Sequence, residues 1–168
     1  MRQVYLLFLT VAVLQGCAHR EKIQDYPLQV GDITFNAGED DPVFKVCNED
    51  QVAQYYNFGK GVNYKGEKLK IVDHFQHGFR PSTKSDESGF ITIRFIVNCH
   101  GETGRFRWQE MDENFNEKVF DEDIRGQLLD LTRQLDGWGI SQYEGKAYDY
   151  YQYLTFKIES GKLVEIMP

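Results

Sequence analysis

The chain has 168 residues, of which 26 are acidic and 19 are basic, so that its formal net charge is -7. Such an acidic chain is a poor candidate for nucleic-acid binding, because phosphate contacts require clustered basic residues. With 41% hydrophobic and 14% aromatic residues, the chain has too high a hydrophobic content for a disordered protein. Its length is sufficient for one folded domain with an extension.

The first residues have the three parts of a secretory signal. Met1 and Arg2 supply a positive end, and residues 4–14 form a nearly unbroken apolar run, which is shorter than the roughly 20 residues of a membrane-spanning helix. The run ends in LQGC, an ending that resembles the lipobox of bacterial lipoproteins. The resemblance implies that residues 1–16 are a signal peptide and that Cys17 carries acyl chains such as palmitate. The alternative is an ordinary signal with a coincidental cysteine.

Residues 17–30 are polar and have no sustained period, which predicts a tether. Fully extended, this tether spans at most about 50 Å. We therefore expect the folded part to stay close to its membrane, anchored through Cys17.

Two cysteines remain once Cys17 is assigned to the lipid. Cys47 and Cys99 are then expected to form one disulfide in an oxidising compartment. The bridge would enclose about 50 residues and contribute roughly 4 kcal/mol on the chain-entropy model. Two separate buried thiols are the alternative. Because the cysteines lack CxxC pairs, we expect no structural metal. No cofactor is expected.

Residues 31–85 are predicted to form an α/β extension packed on the core. Asn48 is a candidate N-cap, and Gln51 occupies the reciprocal position of a capping box. A short helix running from there through residues 55–56 is predicted to end at Gly59.

Residues 67–79 are predicted to begin as a strand and to continue into an irregular aromatic stretch. His74 and His77, with Asp73 beside them, are spaced as metal ligands on one face of a helix would be. Gly78 and the neighbouring aromatic residues argue against a regular helix. Ordinary histidines, and no metal site, are the favoured interpretation.

The pattern is clearer in the second half of the chain. Residues 90–97 are rich in β-branched and aromatic side chains and place Ile91, Ile93, Phe95 and Val97 on one face. Residues 98–101 supply turn chemistry, and residues 105–108 resume the alternation. These features predict a β-hairpin.

An amphipathic helix is predicted over residues 121–137, with carboxylates in its first turn and apolar residues at spacings of four, three and four. Residues 148–158 are predicted to form a half-buried strand, whose tyrosines leave aromatic rings on both faces. Either the second face packs under the N-terminal extension, which is the favoured interpretation, or it is an exposed binding platform. Ser160-Gly161 is predicted to turn the chain into a last strand, Leu163 to Ile166.

This order of elements resembles the C-terminal domain of TonB-type energy transducers. The resemblance covers residues 86–168 and rests on the hairpin GFITIRFIVNCHGETGRFR, the following helix, Trp138 at the helix end and the closing strand YLTFKI. It implies an α+β fold, with a small antiparallel sheet built from a hairpin, a helix and closing strands.

In that family the terminal strand pairs with a segment of an outer-membrane receptor. The present chain has only four prolines and no spanning helix that would survive processing, so it lacks the family's route to an inner-membrane motor. We expect a binding or assembly module that uses strand addition, although the last strand can itself occupy the edge that a partner would use. The expected partner-facing residues are Tyr151, Tyr153, Thr155, Leu163 and Ile166.

No enzyme activity is expected. The sequence has no P-loop, GxGxxG or GxSxG motif. His100 follows Cys99 directly, but adjacent strand residues point to opposite faces, so a catalytic pair is not expected. The carboxylates of residues 121–123 are explained by their place in a helix's first turn.

The expected function is that of a periplasm-facing, outer-membrane lipoprotein in envelope transport, which binds an envelope protein and neither nucleic acid nor metal. Ala18 after the acylated cysteine resembles lipoproteins that are sorted to the outer membrane. The alternatives are a TonB-like energy transducer acting with a separate membrane partner and a small envelope hydrolase.

Overall fold

The computed structural model describes residues 31–58, 61–82 and 86–167, without the side chains of residues 57–58. The expected signal peptide, the expected acylation site Cys17, the expected tether and the predicted helix end at Gly59 lie outside the described residues. Gly31–Pro168 form one compact unit. None of the helices in the described part of the chain is long and apolar enough to cross a membrane.

A mixed five-stranded sheet forms the centre of the fold. Two α-helices of 12 residues each lie in the described part of the chain, and a pair of short strands forms a second, two-stranded sheet. Helices combined with a mixed sheet confirm the predicted α+β class. The elements are β1 (Ala53–Gln54), α1 (Glu67–Gly78), β2 (Gly89–Val97), β3 (Thr103–Met111), α2 (Glu122–Arg133), β4 (Ser141–Tyr143), β5 (Lys146–Tyr148), β6 (Tyr150–Glu159) and β7 (Lys162–Met167).

Strand β6 lies between β2 on one side and two short strands on the other. It pairs with β2 in antiparallel register along its whole length. On its opposite side, β1 runs parallel to Tyr150 and Tyr151, and β7 runs antiparallel to the segment from Thr155 to Glu159. Strand β3 pairs with β2 and forms the other edge of the sheet.

The predicted hairpin is confirmed as β2 and β3. The turn between them is organised by Asn98, which is 1% exposed. Its Oδ1 accepts hydrogen bonds from the backbone N–H groups of His100, at 3.0 Å, and Glu102, at 2.9 Å. A buried side chain with satisfied polar atoms fixes this turn.

The prediction that residues 67–79 begin as a strand is wrong, because Glu67–Gly78 is helix α1. The alternation of Lys68-Leu69-Lys70-Ile71 imitates a strand, but the completely buried residues are Ile71 and Phe75, which are four apart and share a helix face. Leu69 is 81% exposed. Gly78 does not prevent the helix, since its missing side chain leaves room for Leu131 of α2.

Helix α2 matches its predicted pattern. Asp121 caps it by accepting a hydrogen bond from Asp123 N at 2.9 Å. The helix ends at Arg133 rather than at Gly137, whose carbonyl accepts a hydrogen bond from Lys65 N at 2.8 Å and so belongs to a loop contact. The four apolar residues that define the predicted face are buried: Ile124, Leu128, Leu131 and Leu135.

The first face of the sheet packs against α1 and α2, and its second face is partly covered by the N-terminal extension. Tyr151, which is 3% exposed, packs there with Ile33, Val52 and Ile96. This packing confirms burial under the N-terminal extension for Tyr151, whereas Tyr153 on the same face is only half-buried. Strand β6 begins later than predicted, at Tyr150, because Tyr148 belongs to β5, where it pairs with Ser141.

The prediction of one short helix after Asn48 is wrong, because the segment forms two separate 3-10 turns. Asn48 caps a single 3-10 turn, Glu49–Gln51, by accepting a hydrogen bond from Asp50 N. Strand β1 then replaces the middle of the predicted helix, because Ala53 N donates a hydrogen bond to Asp149 O at 2.9 Å. A second 3-10 turn, Tyr55–Phe58, follows.

Candidate functional site

The predicted disulfide is confirmed. Cys47 and Cys99 are bonded, with their Cα atoms 6.1 Å apart. The bridge joins the N-terminal extension to the β2–β3 turn. The thiol of Cys99 is thereby committed to a bond, which removes it as a nucleophile in this state.

The two histidines of α1 have separate backbone partners. His74 Nε2 lies 2.9 Å from the carbonyl oxygen of Leu131 in α2. His77 Nδ1 lies 2.8 Å from the carbonyl oxygen of Asp73 in its own helix. One imidazole therefore ties the helices together, and the other caps a turn.

The five residues expected to face a partner are divided among different environments. Tyr151 and Ile166 are buried, at 3% and 4% exposure, and therefore present no surface to a partner in this conformation. Leu163 is half-buried beside α1, where residues 163–166 and α1 border a cavity of only 170 Å³.

Tyr153 and Thr155 line a depression of 560 Å³ on the uncovered part of the second sheet face. The hydroxyls of Thr155 and Thr92 lie 2.9 Å apart, and those of Tyr153 and Tyr55 lie 3.4 Å apart. The hydrogen bond with Tyr153, together with burial, raises the pKa of Tyr55 to about 12. The hydroxyl of Tyr55 therefore remains protonated at neutral pH.

A cavity of 980 Å³ lies along the free edge of β3. We call it the β3 groove. Its floor is the edge segment Thr103–Trp108, its N-terminal wall is residues 37–41 with Phe44, and its α2 wall is formed by Arg125, Leu129 and Arg133.

A buried ion pair fixes the N-terminal wall to the floor. Both oxygens of Asp40 accept hydrogen bonds from Arg107, each at 2.7 Å, and the side chain of Asp40 is 1% exposed. Hydrogen bonding to Arg107 lowers the pKa of Asp40 and raises that of Arg107. Arg107 also donates to Thr34 O at 2.9 Å, so one guanidinium holds the wall in place.

The arginines of the α2 wall lie over aromatic side chains of the floor. The guanidinium of Arg125 lies 5.2 Å from the ring centre of Trp108, and that of Arg133 lies 5.4 Å from the ring centre of Phe106. Arg125 is paired with Glu110 at 3.0 Å. These cation–π contacts hold the arginines above an apolar surface.

A β-bulge marks the middle of the floor. The register between β2 and β3 shifts opposite the segment from Arg94 to Ile96, and Arg105 adopts a φ of 55°, which is unusual for a residue with a side chain. Arg105 is 6% exposed and forms a two-point ion pair with Glu49. The bulge turns this arginine inward while Phe106 stacks on Phe95.

The groove was not predicted from the sequence. The alternation in Arg105-Phe106-Arg107-Trp108 signalled a strand, but the partners Asp40 and Glu49 lie 67 and 56 residues away. The described lining contains no histidine, cysteine or serine. It offers an open strand edge, aromatic rings and charges of both signs, which suits binding of a polypeptide.

Comparison of the chain with models of protein families, with curated proteins and with solved structures gave no match.

Proposed function

We propose that the protein is a binding module that receives an extended segment of a partner protein in the β3 groove. The observation that carries this proposal is an unpaired strand edge lying between two walls. Such an edge presents backbone N–H and C=O groups that a second strand can pair with.

Within the described residues, no backbone-to-backbone hydrogen bond reaches the outer side of β3 between Thr103 and Gln109. The carbonyl oxygen of Phe106 accepts a hydrogen bond from the side chain of Arg107 at 2.9 Å. Only the far end is covered, where Lys118 N donates to Glu110 O at 3.1 Å and Met111 bridges to Glu117. The six floor residues provide about 20 Å of edge at about 3.4 Å per residue. That length fits one typical strand.

The side chains on the two walls indicate the chemistry of the bound partner segment, which we call the guest strand. Glu39 and Asp41 are exposed on the N-terminal wall, and Arg133 is exposed on the α2 wall. Side chains of a guest strand point alternately to opposite faces. The guest is therefore a segment with basic side chains facing the N-terminal wall and an acidic side chain facing α2, where Leu129 and Phe106 add apolar area.

The same proposal places the protein in the cell envelope. The LQGC sequence supports acylation of Cys17 and an outer-membrane anchor, and strand addition agrees with the resemblance to TonB C-terminal domains. The groove differs from the terminal edge expected from that resemblance, because β6 is covered on its outer side by β1 and β7.

A photo-crosslinking amino acid placed at Leu129 in cells tests this function. Leu69, which is 81% exposed on α1, and Val164, which is 49% exposed on β7, are matched control positions. We expect adducts from Leu129 that map to one extended segment of one partner, and a synthetic peptide of that segment that binds the purified protein. Adducts at Val164 alone, or equal adducts at all three positions, would contradict the groove as the binding site.

A further inference from the structure

A second cluster of reactive side chains lies at the end of the fold that carries the disulfide. The sulfur atoms of Cys47 and Cys99 and a ring nitrogen of His100 lie within 4.8 Å of one another. Cys47 and His100 are exposed, and Cys99 is half-buried. Solvent, a reductant and a metal ion can therefore all reach this cluster.

The two cysteine-bearing segments are joined by more than the disulfide. The carboxylate of Asp149, which is 1% exposed, accepts hydrogen bonds from Asn48 N and Cys99 N, both at 2.8 Å. Asn98 Nδ2 donates to Lys45 O at 3.0 Å. Breaking the disulfide therefore leaves the backbones on both sides of the cluster connected.

We propose that Cys47, Cys99 and His100 form a redox-gated site for a thiophilic divalent cation, with Zn²⁺ as its best match. A thiol reductant supplies two electrons and two protons, which convert the disulfide to two thiols while the reductant is oxidised to its own disulfide. Zn²⁺ then replaces the two thiol protons and binds two thiolates and the imidazole.

The donor set fits zinc. Zinc sites use cysteine sulfur at about 2.3 Å and histidine nitrogen at about 2.0 Å, and tetrahedral geometry then separates two sulfurs by about 3.8 Å. Side-chain rotation can provide that separation while the Cα atoms keep the 6.1 Å spacing of the disulfide. The three ligands leave a fourth position for water or another donor.

The cysteines lack CxxC spacing, so their sequence positions alone do not predict a metal site here. The third donor follows from the turn, in which Asn98 Oδ1 holds the backbone N–H of His100 and so positions its side chain beside Cys99. The disulfide controls metal binding, because its oxidised sulfur atoms are not thiolates and only thiolates bind the metal.

Titration of the purified full chain with Co²⁺, followed by displacement with Zn²⁺, tests the proposal. A phosphine reductant is used because it does not compete for the metal as a dithiol does. A Cys17→Ser background removes the remaining cysteine. We expect sulfur-to-cobalt charge-transfer absorption at one ion per reduced chain and none in the oxidised chain.

His100→Gln is expected to weaken Zn²⁺ affinity of the reduced chain by about ten-fold or more, since loss of even an outer-shell partner costs 10–100-fold. His77→Gln, at an exposed histidine of α1, is the matched control and should leave the affinity unchanged. Absence of the thiolate–cobalt absorption, or equal Zn²⁺ affinity of His100→Gln and the parent, would overturn the site. Loss of native near-UV circular dichroism on reduction would overturn it as well, because the ligands would no longer be held together.

Discussion

Replacing Cys47 and Cys99 by serine removes the covalent link between the N-terminal extension and the β2–β3 turn. The two residues are 52 apart in sequence, and the chain-entropy model converts a loop of that length into about 4 kcal/mol of stabilisation. Because small domains have unfolding free energies of about 5–15 kcal/mol, the variant should still fold. The hydrogen bonds of Asp149 to both segments support the same expectation.

Urea unfolding of the oxidised parent and the double variant, both in a Cys17→Ser background, measures this loss. At a slope of about 2 kcal/mol per molar urea, the midpoint should fall by about 2 M. Near-UV circular dichroism should stay native-like before the transition. A midpoint change below about 0.5 M, equivalent to about 1 kcal/mol, would refute the loop-closure argument. An unfolded double variant would refute the role given to Asp149.

Further predictions concern α1 and the N-terminal wall of the groove. Phe75→Ala should cost about 3–5 kcal/mol in urea unfolding, because Phe75 is fully buried, whereas Leu69→Ala on the exposed side of the same helix should change stability by less than about 0.5 kcal/mol. Arg107→Ala should cost about 3–5 kcal/mol at neutral pH, because it leaves the carboxylate of Asp40 buried without its partner, and a cost below about 1 kcal/mol would contradict that role. The pKa of Asp40 is lowered in the folded state, so its stabilising effect is present above its unfolded pKa of about 3.9 and is lost as the pH falls through the folded value. Unfolding midpoints of the parent and Arg107→Ala should therefore converge on acidification, and a constant difference down to about pH 2 would contradict the assignment.

Periodicity predicted the elements whose burial is one-sided or continuous. The hairpin, α2 and β6 show the spacing of their buried residues directly in the sequence. Helix α1 does not, because Lys68 and Lys70 alternate with apolar residues as in a strand. This alternation obscures the four-residue spacing between Ile71 and Phe75. Strand β1 has only two residues, too few for any period, and forms because Asp149 O and the neighbouring edge of β6 are available to it.

The candidate groove was beyond sequence analysis for a different reason. Its walls come from segments that are distant in the chain, and they meet because Arg107 binds Asp40 and because α2 packs over the first sheet face. The sequence did indicate the disulfide, since two cysteines remained after Cys17, but it did not indicate that His100 would lie beside both sulfurs.

The open edge of β3 is the central element of the proposed function, and amide hydrogen exchange measures it directly. Exchange should be followed in the purified protein with and without the synthetic peptide identified by crosslinking at Leu129. Outward-facing amides of Thr103–Trp108 should exchange rapidly in the free protein and become protected in the complex, with no change in β7. Protection of residues 163–166 instead, with β3 unaffected, would contradict the account.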